Sequence, residues 1–205
     1  MKLHYKGKFS GEYSSLPEGE LKQHKNAVKF KEIDDINKLM IIGNIIALIV
    51  FFMLGYIFVL ITGSVEKISM IGLLLAYLLV FPHEFLHAIC FKGDVYMYLV
   101  NGGAFVIGTE NMSKFRFIFL SMLPNIIFGF IPFIIFLFFP NYNILGTLGF
   151  TAIAMGVGDY YNVFNALTQM PKGARCFLEK QNSYWYIPEE NENIKNNKSN
   201  KKDKI

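Results

Sequence analysis

Four long apolar stretches constrain the fold of this chain more than any other feature. They lie near residues 39–62, 69–92, 115–139 and 144–168 of a 205-residue sequence that is 53% hydrophobic. Each is long enough for the roughly 20 residues that a membrane-spanning helix requires. Inside lipid every backbone polar group must find its partner within the protein, and a helix achieves this within one segment. The sequence therefore predicts an all-α membrane protein with about four transmembrane helices.

The tails are too short and too polar for a second folded domain. We expect a cytoplasmic lead-in at residues 1–38, a four-helix membrane domain at 39–170 and a cytoplasmic tail at 171–205. From about residue 189 the tail has little apolar surface to bury, which predicts disorder. Just before that point, Tyr184-Trp185-Tyr186 is typical of an aromatic anchor at the lipid headgroups. The first apolar stretch begins too deep in the chain for a cleaved secretory signal, so we expect it to be retained.

The basic residues divide unevenly between the tails and the connections. Eight of the 20 lysines and arginines precede the first apolar stretch, eight follow the fourth, three lie in the middle connection and one in the first. By the positive-inside rule, both termini and the middle connection face the cytoplasm of a cell membrane. The net charge of +4 then reflects topology and contact with the lipid bilayer, and predicts no nucleic-acid partner. Cys90 and Cys176 both lie on the cytoplasmic side, which argues against a structural disulfide.

The middle connection is less polar than an ordinary loop. Residues 96–107 form two strand-like runs around Asn101-Gly102-Gly103, a pattern that predicts a β-hairpin-like connection between helices 2 and 3. Such a hairpin could offer its edge to an extended peptide by strand addition. A hairpin that lies at the surface without a catalytic role explains the pattern equally well.

Ionisable residues interrupt the second apolar stretch, where His83-Glu84-Phe85-Leu86-His87 has the pattern His-Glu-x-x-His. On a helix, residues i and i+4 share one face, so both imidazoles can reach one metal ion. Glu84 can take a proton from a water molecule that the metal activates. Ionisable groups in lipid indicate a functional site by default, and this one is typical of zinc. The alternative is a hydrogen-bonded polar cluster that packs two helices together.

A catalytic zinc site usually has three protein ligands, so the helix needs one more. Asp159 is the only carboxylate in the fourth stretch. His83 lies 14 residues after Ser69, and Asp159 lies 15 residues after Ile144. At 1.5 Å per residue both side chains would lie roughly 21 Å into the membrane from the external side. We therefore predict Asp159 as the third ligand, with a packing carboxylate that pairs with a basic or amide group as the alternative.

Other residues compete for the same role. Asp94 and Glu110, in the middle connection, remain alternative ligands, although a loop fixes a ligand less closely. Cys90 shares a helical face with His83 but lies seven residues away, roughly 10 Å along the axis, which is too far. Gly156 and Gly158, which precede the predicted ligand, are expected to allow close approach of a neighbouring helix.

Amides and prolines lie near the predicted site. Asn125 and Asn162 are predicted to bind the substrate carbonyl or to orient the Asp159 carboxylate. Hydrogen bonds between helices explain both amides equally well. Pro124 predicts a helix bend and a freed backbone carbonyl, and Pro82 predicts a kink that admits water.

These residues resemble a known group of enzymes. His83-Glu84-Phe85-Leu86-His87 in one span, with Gly158-Asp159 in a later one, is similar to the site-2-protease type of intramembrane metalloproteases. The chain resembles more closely a bacterial family of small four-span membrane zincin peptidases, over roughly residues 25–170. The resemblance implies that His83, His87 and Asp159 bind zinc and that Glu84 is the general base. Site-2 proteases usually present their aspartate in an Asn-Pro…Asp-Gly context, whereas here Tyr160 follows Asp159.

We therefore predict an integral membrane zinc metalloprotease that hydrolyses peptide bonds of a membrane protein or peptide in or near the bilayer. Zinc-activated water would be the nucleophile and Glu84 its general base. The alternative is a non-catalytic membrane protein that binds metal or another protein.

Overall fold

The computed structural model describes residues 1–100 and 103–188. In this part the chain is mostly helical, with two small β-sheets. The helices are α1 (Ile36–Thr62), α2 (Met70–Leu78), α3 (Val80–Ile89), α4 (Lys114–Asn125), α5 (Ile131–Phe138), α6 (Asn143–Met155) and α7 (Val157–Gln169). The strands are β1 (Lys2–Lys8), β2 (Val28–Lys29), β3 (Asp94–Val100), β4 (Gly103–Gly108), β5 (Met112–Ser113), β6 (Arg175–Glu179) and β7 (Asn182–Tyr186). The all-α prediction is wrong in this respect, because the polar segments outside the apolar stretches pair as strands.

Three helical segments are long and apolar enough to cross a membrane: Asn37–Thr62, Met70–Ile89 and Lys114–Phe138. The fourth apolar stretch instead forms two 13-residue helices, α6 and α7, which meet at Gly156. Large apolar side chains on α1 are more than half exposed: Met40, Ile41, Ile45, Leu48, Ile49, Phe52, Met53, Tyr56 and Leu60. A continuous apolar surface of this kind indicates contact with lipid or another apolar partner.

The second and third spans are interrupted where the sequence predicts bends. A turn at Leu79 separates α2 from α3, and Pro82 lacks the N–H that would bond to the carbonyl of Leu78. In the third span, Pro124 lies inside α4, and one π-helical turn, Ile126–Phe130, joins α4 to α5. Such turns often occur at functional sites. The predicted kinks are therefore confirmed in both spans.

The first sheet has the strand order β1-β3-β4. β3 and β4 are antiparallel with Val100 opposite Gly103, so the predicted hairpin is confirmed. Its predicted tip, residues 101 and 102, lies outside the described residues. β1 pairs in parallel with β3, with Lys2 opposite Asp94, which the sequence did not predict.

The second sheet has the order β2-β7-β6-β5 and joins segments from the lead-in, the middle connection and the tail. Tyr184-Trp185-Tyr186 lies in β7, where Tyr186 is only 5% exposed and stacks on His24 at 3.6 Å between ring centroids. The interpretation of these residues as a membrane anchor is therefore wrong for Tyr186. The predicted disorder from residue 189 lies outside the described part of the chain.

The two ends of the helix bundle differ in what they contain. The sheet end carries both sheets, and the loop end carries the connections at residues 63–69 and 139–142. At the loop end, α1, α5 and α6 meet in an aromatic core in which Phe58, Phe136 and Phe150 are fully buried. The rings of Phe58 and Phe136 are stacked with their centroids 4.7 Å apart. This core holds the helices together at the loop end, and the polar side chains of the bundle lie closer to the sheet end.

Candidate active site

The helix α3 places two imidazoles at one point. His83 and His87 lie one turn apart on one face of α3, where His83 contacts Asp159 of α7 and His87 contacts the Leu120 carbonyl of α4. Their Nε2 atoms are 3.1 Å apart, and the His87 ring is buried. The close approach of the two ring nitrogens requires a shared proton or a shared cation, because two nitrogen lone pairs would otherwise face each other.

Asp159, in the first turn of α7, completes this cluster. One carboxylate oxygen lies 3.1 Å from Nε2 of His83, and the other lies 3.3 Å from Nε2 of His87. The amide Nδ2 of Asn125 donates a hydrogen bond of 2.7 Å to the oxygen that faces His83. The structure thus brings together three residues that are 76 positions apart at most in the sequence.

The spacing of these three groups fits a zinc ion. Ligands about 2.0–2.1 Å from a tetrahedral zinc lie about 3.3–3.4 Å from one another. The contacts among His83, His87 and Asp159 measure 3.1, 3.1 and 3.3 Å. Two imidazole nitrogens and a carboxylate oxygen are also ligands that zinc prefers. A His83, Glu84 and His87 group with ligand atoms within 4.8 Å of one another also has the composition of a metal site. The carboxylate oxygens of Asp159 lie 3.1 Å and 3.3 Å from the two imidazole nitrogens, so its position agrees with that predicted for a third ligand.

Glu84 lies beside the cluster, and a backbone group holds its carboxylate. Val106, in β4, donates its N–H to Oε2 of Glu84 at 3.0 Å. This contact fixes one carboxylate oxygen, and a carboxylate oxygen of Glu84 lies within 4.8 Å of the ligand atoms of both histidines. A general base needs this arrangement, since it must reach the reacting water without occupying a ligand position.

Strand β4 runs along the whole length of α3 in the same direction. Gly103 approaches Val80 at the start of α3, Val106 contacts Glu84, and Gly108 packs on the ring of Phe91 beyond its end. Among the described strands, β4 has only β3 as a neighbour. Its second edge, to which the N–H of Val106 belongs, therefore faces the cluster.

Other carboxylates that the sequence left as possible ligands have different partners. Asp94 bonds to His4 at 2.7 Å, and this contact holds the pKa of the Asp94 carboxyl below its usual value. Glu110 accepts the backbone N–H groups of Lys92 and Gly93 and forms an ion pair with Arg116. Both carboxylates therefore serve the turn that follows α3 and the neighbouring strands.

The predicted amides lie near the site in different settings. Asn125 is 1% exposed, and its amide donates to Asp159 and to the carbonyl of Ser121. This geometry favours the role of orienting Asp159 over direct contact with a substrate. Asn162 lines the cavity described below, where a substrate could reach it.

The two glycines that precede Asp159 differ. A Cβ at Gly156 would lie 1.8 Å from Oδ1 of Asn125, so this glycine makes room for the amide. A Cβ at Gly158 would meet no atom within 4 Å, and the expectation of close helix approach is wrong for that residue.

A cavity of about 680 Å³ opens onto the cluster. Its walls come from the N-terminal half of α1, from β4, and from the hairpin of β6 and β7, while Glu84, His87 and Asp159 lie on its inner surface. A cavity of this size suits a few residues of a peptide and is typical of a binding site.

Sequence reasoning missed the backbone groups that support the site. Nδ1 of His87 lies 2.9 Å from the carbonyl oxygen of Leu120, and Val106 holds Glu84. Backbone atoms have no residue-specific signal, so only indirect signs exist. Pro124, four residues after Leu120, is such an indirect sign, because a proline has no N–H to donate to the Leu120 carbonyl.

A comparison with protein families agrees with this site. A family model described as "Putative zincin peptidase" matches residues 76–175, just under half of the chain. The matched segment contains His83, Glu84, His87 and Asp159. No curated protein and no solved structure matches the chain. Together with the His-Glu-His group, the match confirms the predicted enzyme class, a zincin-type metallopeptidase. The match does not test the finer resemblance to site-2 proteases.

Proposed function

We propose that this protein is an integral membrane zinc metalloprotease that cleaves a membrane protein or peptide near the cytoplasmic side of the cell membrane. The observation that carries the proposal is the convergence of His83, His87 and Asp159 at the spacing of zinc ligands. When bound there, zinc supplies a Lewis acid that polarises the scissile carbonyl and lowers the pKa of water toward about 7.

The residues around the cluster have separate roles in proton transfer and in positioning. Glu84 removes the proton of the attacking water and passes it to the leaving amine. The N–H of Val106 keeps the Glu84 carboxylate turned toward the reaction. Asn125 keeps both oxygens of Asp159 facing the two imidazoles through its bond to the carboxylate.

The edge of β4 that lies beside Glu84, which no described strand covers, supports an extended peptide as the substrate. Peptides in lipid are helical and protected by their own hydrogen bonds, so a substrate must unwind before it is attacked. An unwound segment could pair with the outward N–H and C=O groups of Ala104 and with the C=O of Val106, whose N–H is already bonded to Glu84. Paired in this way, its backbone would pass directly beside Glu84.

We further propose four membrane crossings with both termini in the cytoplasm. Three helical segments are long enough to span the bilayer, and α6 with α7 would form the fourth crossing. Eight basic residues in each tail, against one and none in the outer connections, support this orientation. The site then lies in the cytoplasmic half of the membrane. Labelling of Lys67→Cys only from outside intact cells, and of Lys92→Cys only after permeabilisation, would agree; the reverse pattern would overturn the orientation.

Glu84→Gln separates catalysis from metal binding. The amide is nearly isosteric with the carboxylate but cannot accept a proton at neutral pH. We expect the purified variant to retain its zinc and to cleave fluorescein-labelled casein in detergent about 10²–10⁴-fold more slowly than wild type. Glu66→Gln, at an exposed glutamate in the first connection, is the matched control and should cleave at the wild-type rate.

Each other outcome of this experiment has a clear meaning. Equal cleavage by Glu84→Gln and wild type would refute proteolysis through this site. Loss of zinc from Glu84→Gln would make Glu84 a ligand and favour a non-catalytic metal-binding protein. Absence of zinc from the purified wild-type protein would refute the proposed metal.

A further inference from the structure

Pro124 leaves one carbonyl of α4 without its usual helical partner. In a regular α-helix the N–H of residue 124 would bond to the carbonyl of residue 120. Proline has no N–H, so the carbonyl of Leu120 is free to accept a bond from elsewhere. Leu120 is 8% exposed and Pro124 is fully buried, so water has little access to this group. A buried carbonyl without a partner would be costly.

The imidazole of His87 supplies the missing donor. Its Nδ1 atom lies 2.9 Å from the carbonyl oxygen of Leu120. A carbonyl can only accept, so Nδ1 must carry a proton. In the neutral ring Nε2 then has none, and its lone pair points toward His83 and Asp159. The bond thus selects the form of His87 that can bind a metal through Nε2.

The next residue of the same turn acts on another member of the cluster. Asn125 donates to Asp159 at 2.7 Å, as described above. The π-helical turn that starts directly after Asn125 lets the helix continue into α5 despite the proline. One turn of α4 therefore orients two of the three groups, His87 through the backbone and Asp159 through a side chain.

We propose that Pro124 is a positioning residue of the metal site, which acts by freeing the Leu120 carbonyl to hold His87 in its Nδ1-protonated form. This proposal rests on the proposed zinc site. It assigns to Pro124 a role beyond a bend in the helix. A second buried proline in the same span, Pro132, also removes a helical hydrogen bond but lies in α5, toward the loop end.

The matched pair Pro124→Ala and Pro132→Ala tests this role. Alanine at position 124 restores an N–H that competes with His87 for the Leu120 carbonyl. Loss of such a supporting bond typically weakens metal binding about 10–100-fold. We expect that loss for Pro124→Ala and a change of less than about threefold for Pro132→Ala, measured as zinc affinity by competition with a chelator in detergent. Wild-type zinc affinity in folded Pro124→Ala would overturn the proposal, as would equal losses in both variants.

A second measurement needs no proline variant. In zinc-free wild-type protein labelled with ¹⁵N-histidine, NMR at about pH 8 reports which ring nitrogen carries the proton. We expect the proton of His87 on Nδ1, with the signal assigned by its loss in His87→Gln. A proton on Nε2 would overturn the proposal even if Pro124→Ala failed to fold. This readout also separates the two proposals, because a wild-type protein that binds no zinc would refute the metal site while the tautomer still reports on Pro124.

Discussion

The aromatic core at the loop end and the polar cluster of His83, His87, Asn125 and Asp159 at the sheet end belong to one helix bundle but are built by different means. In the core, Phe58, Phe136 and Phe150 fill the space between helices by shape alone. In the cluster, the side chains of His87, Asn125 and Asp159 are joined through hydrogen bonds whose donors and acceptors must match. The polar atoms of the cluster are costly to bury, and hydrogen bonds offset this desolvation penalty only when every polar atom has a partner.

This difference separates stability from function along the length of one bundle. Within lipid, helices associate mainly through van der Waals packing, and a close-packed aromatic core supplies it. The cluster adds little packing, but it brings two imidazoles and the carboxylate of Asp159 within a few ångströms of one another, with Glu84 beside them. Substitutions at the loop end should therefore lower the free energy of unfolding and leave zinc affinity unchanged. Substitutions in the cluster should weaken zinc binding and change the free energy of unfolding little.

The strongest test of the cluster is the removal of a proposed ligand. Asp159→Ala deletes a carboxylate that contacts both imidazoles. We expect zinc affinity to fall by more than about 100-fold, beyond the effect typical of supporting residues. Chelator competition measures it, with Asp94→Ala as the control for a carboxylate that bonds to His4 instead. Zinc binding that survived in Asp159→Ala but disappeared in Asp94→Ala would move the third ligand to the hairpin.

The corresponding test of the aromatic core is Phe136→Ala. The ring is fully buried, and its loss should lower the free energy of unfolding by about 3 kcal/mol, the lower end for soluble cores, because lipid can replace part of the lost contact. Equilibrium unfolding in mixed micelles measures this change. Phe138→Ala, in the same helix but 76% exposed, should stay within about 0.5 kcal/mol of wild type. Zinc affinity should be unchanged in both variants, and a joint loss would contradict the separation.

Identical glycine substitutions in the two regions sharpen the comparison. At Gly149 an added Cβ would lie 2.5 Å from the backbone nitrogen of Phe133, so Gly149→Ala should cost about 1–3 kcal/mol of stability. At Gly156 it would displace the amide of Asn125, so Gly156→Ala should weaken zinc binding about tenfold. Gly158→Ala meets open space and should change neither quantity. The idea fails if Gly149→Ala and Gly156→Ala have the same profile in both assays.

The smallest expected effect concerns Glu32, at the sheet end. Burial raises the pKa of its carboxyl, although Ser183 donates a backbone N–H to it. The folded state thus holds the Glu32 proton more tightly than the unfolded state. This contribution is fully present below the ordinary pKa of 4.5 and is lost as the pH rises through the raised value. Glu32→Gln keeps an acceptor oxygen without the charge.

We therefore expect Glu32→Gln to melt slightly above wild type at neutral pH, and the difference to vanish as the pH falls below 4.5. Melting curves of both proteins from about pH 4 to pH 8 would show this. A variant that was less stable than wild type at neutral pH would mean that the charged carboxylate itself is favourable there.

The parts of the fold that the sequence predicted are those with local signals. His83 and His87 follow the helical period, and the hairpin of β3 and β4 follows alternation and a glycine-rich turn. The approach of Asp159 to the histidines was predicted from equal depth along two apolar segments, and the structure shows this contact although each segment is broken into two helices, at Leu79 and at Gly156.

The second sheet and β1 could not be predicted in the same way. β1 pairs with residues more than ninety positions away, and its own short alternation of lysines gives no register. β2 has two residues and finds its partner in β7. These pairings depend on how the packed helices position the distant segments, and no local sequence pattern indicates that arrangement. The Leu120 and Val106 contacts escape prediction for a related reason, because they use backbone atoms.

The strand order of the second sheet has a consequence for synthesis. β2 is made before any helix, yet among the described strands its only neighbour is β7, which is made after all of them. As the chain leaves the ribosome, every residue proposed to bind metal is present by position 159, while β7 ends at Tyr186. The β2–β7 pairing, which places Glu32 and Ser183 on the wall of the cavity, can therefore form only after β7 has been synthesised. We therefore expect the residues of the candidate site to be synthesised before this wall of the cavity can form.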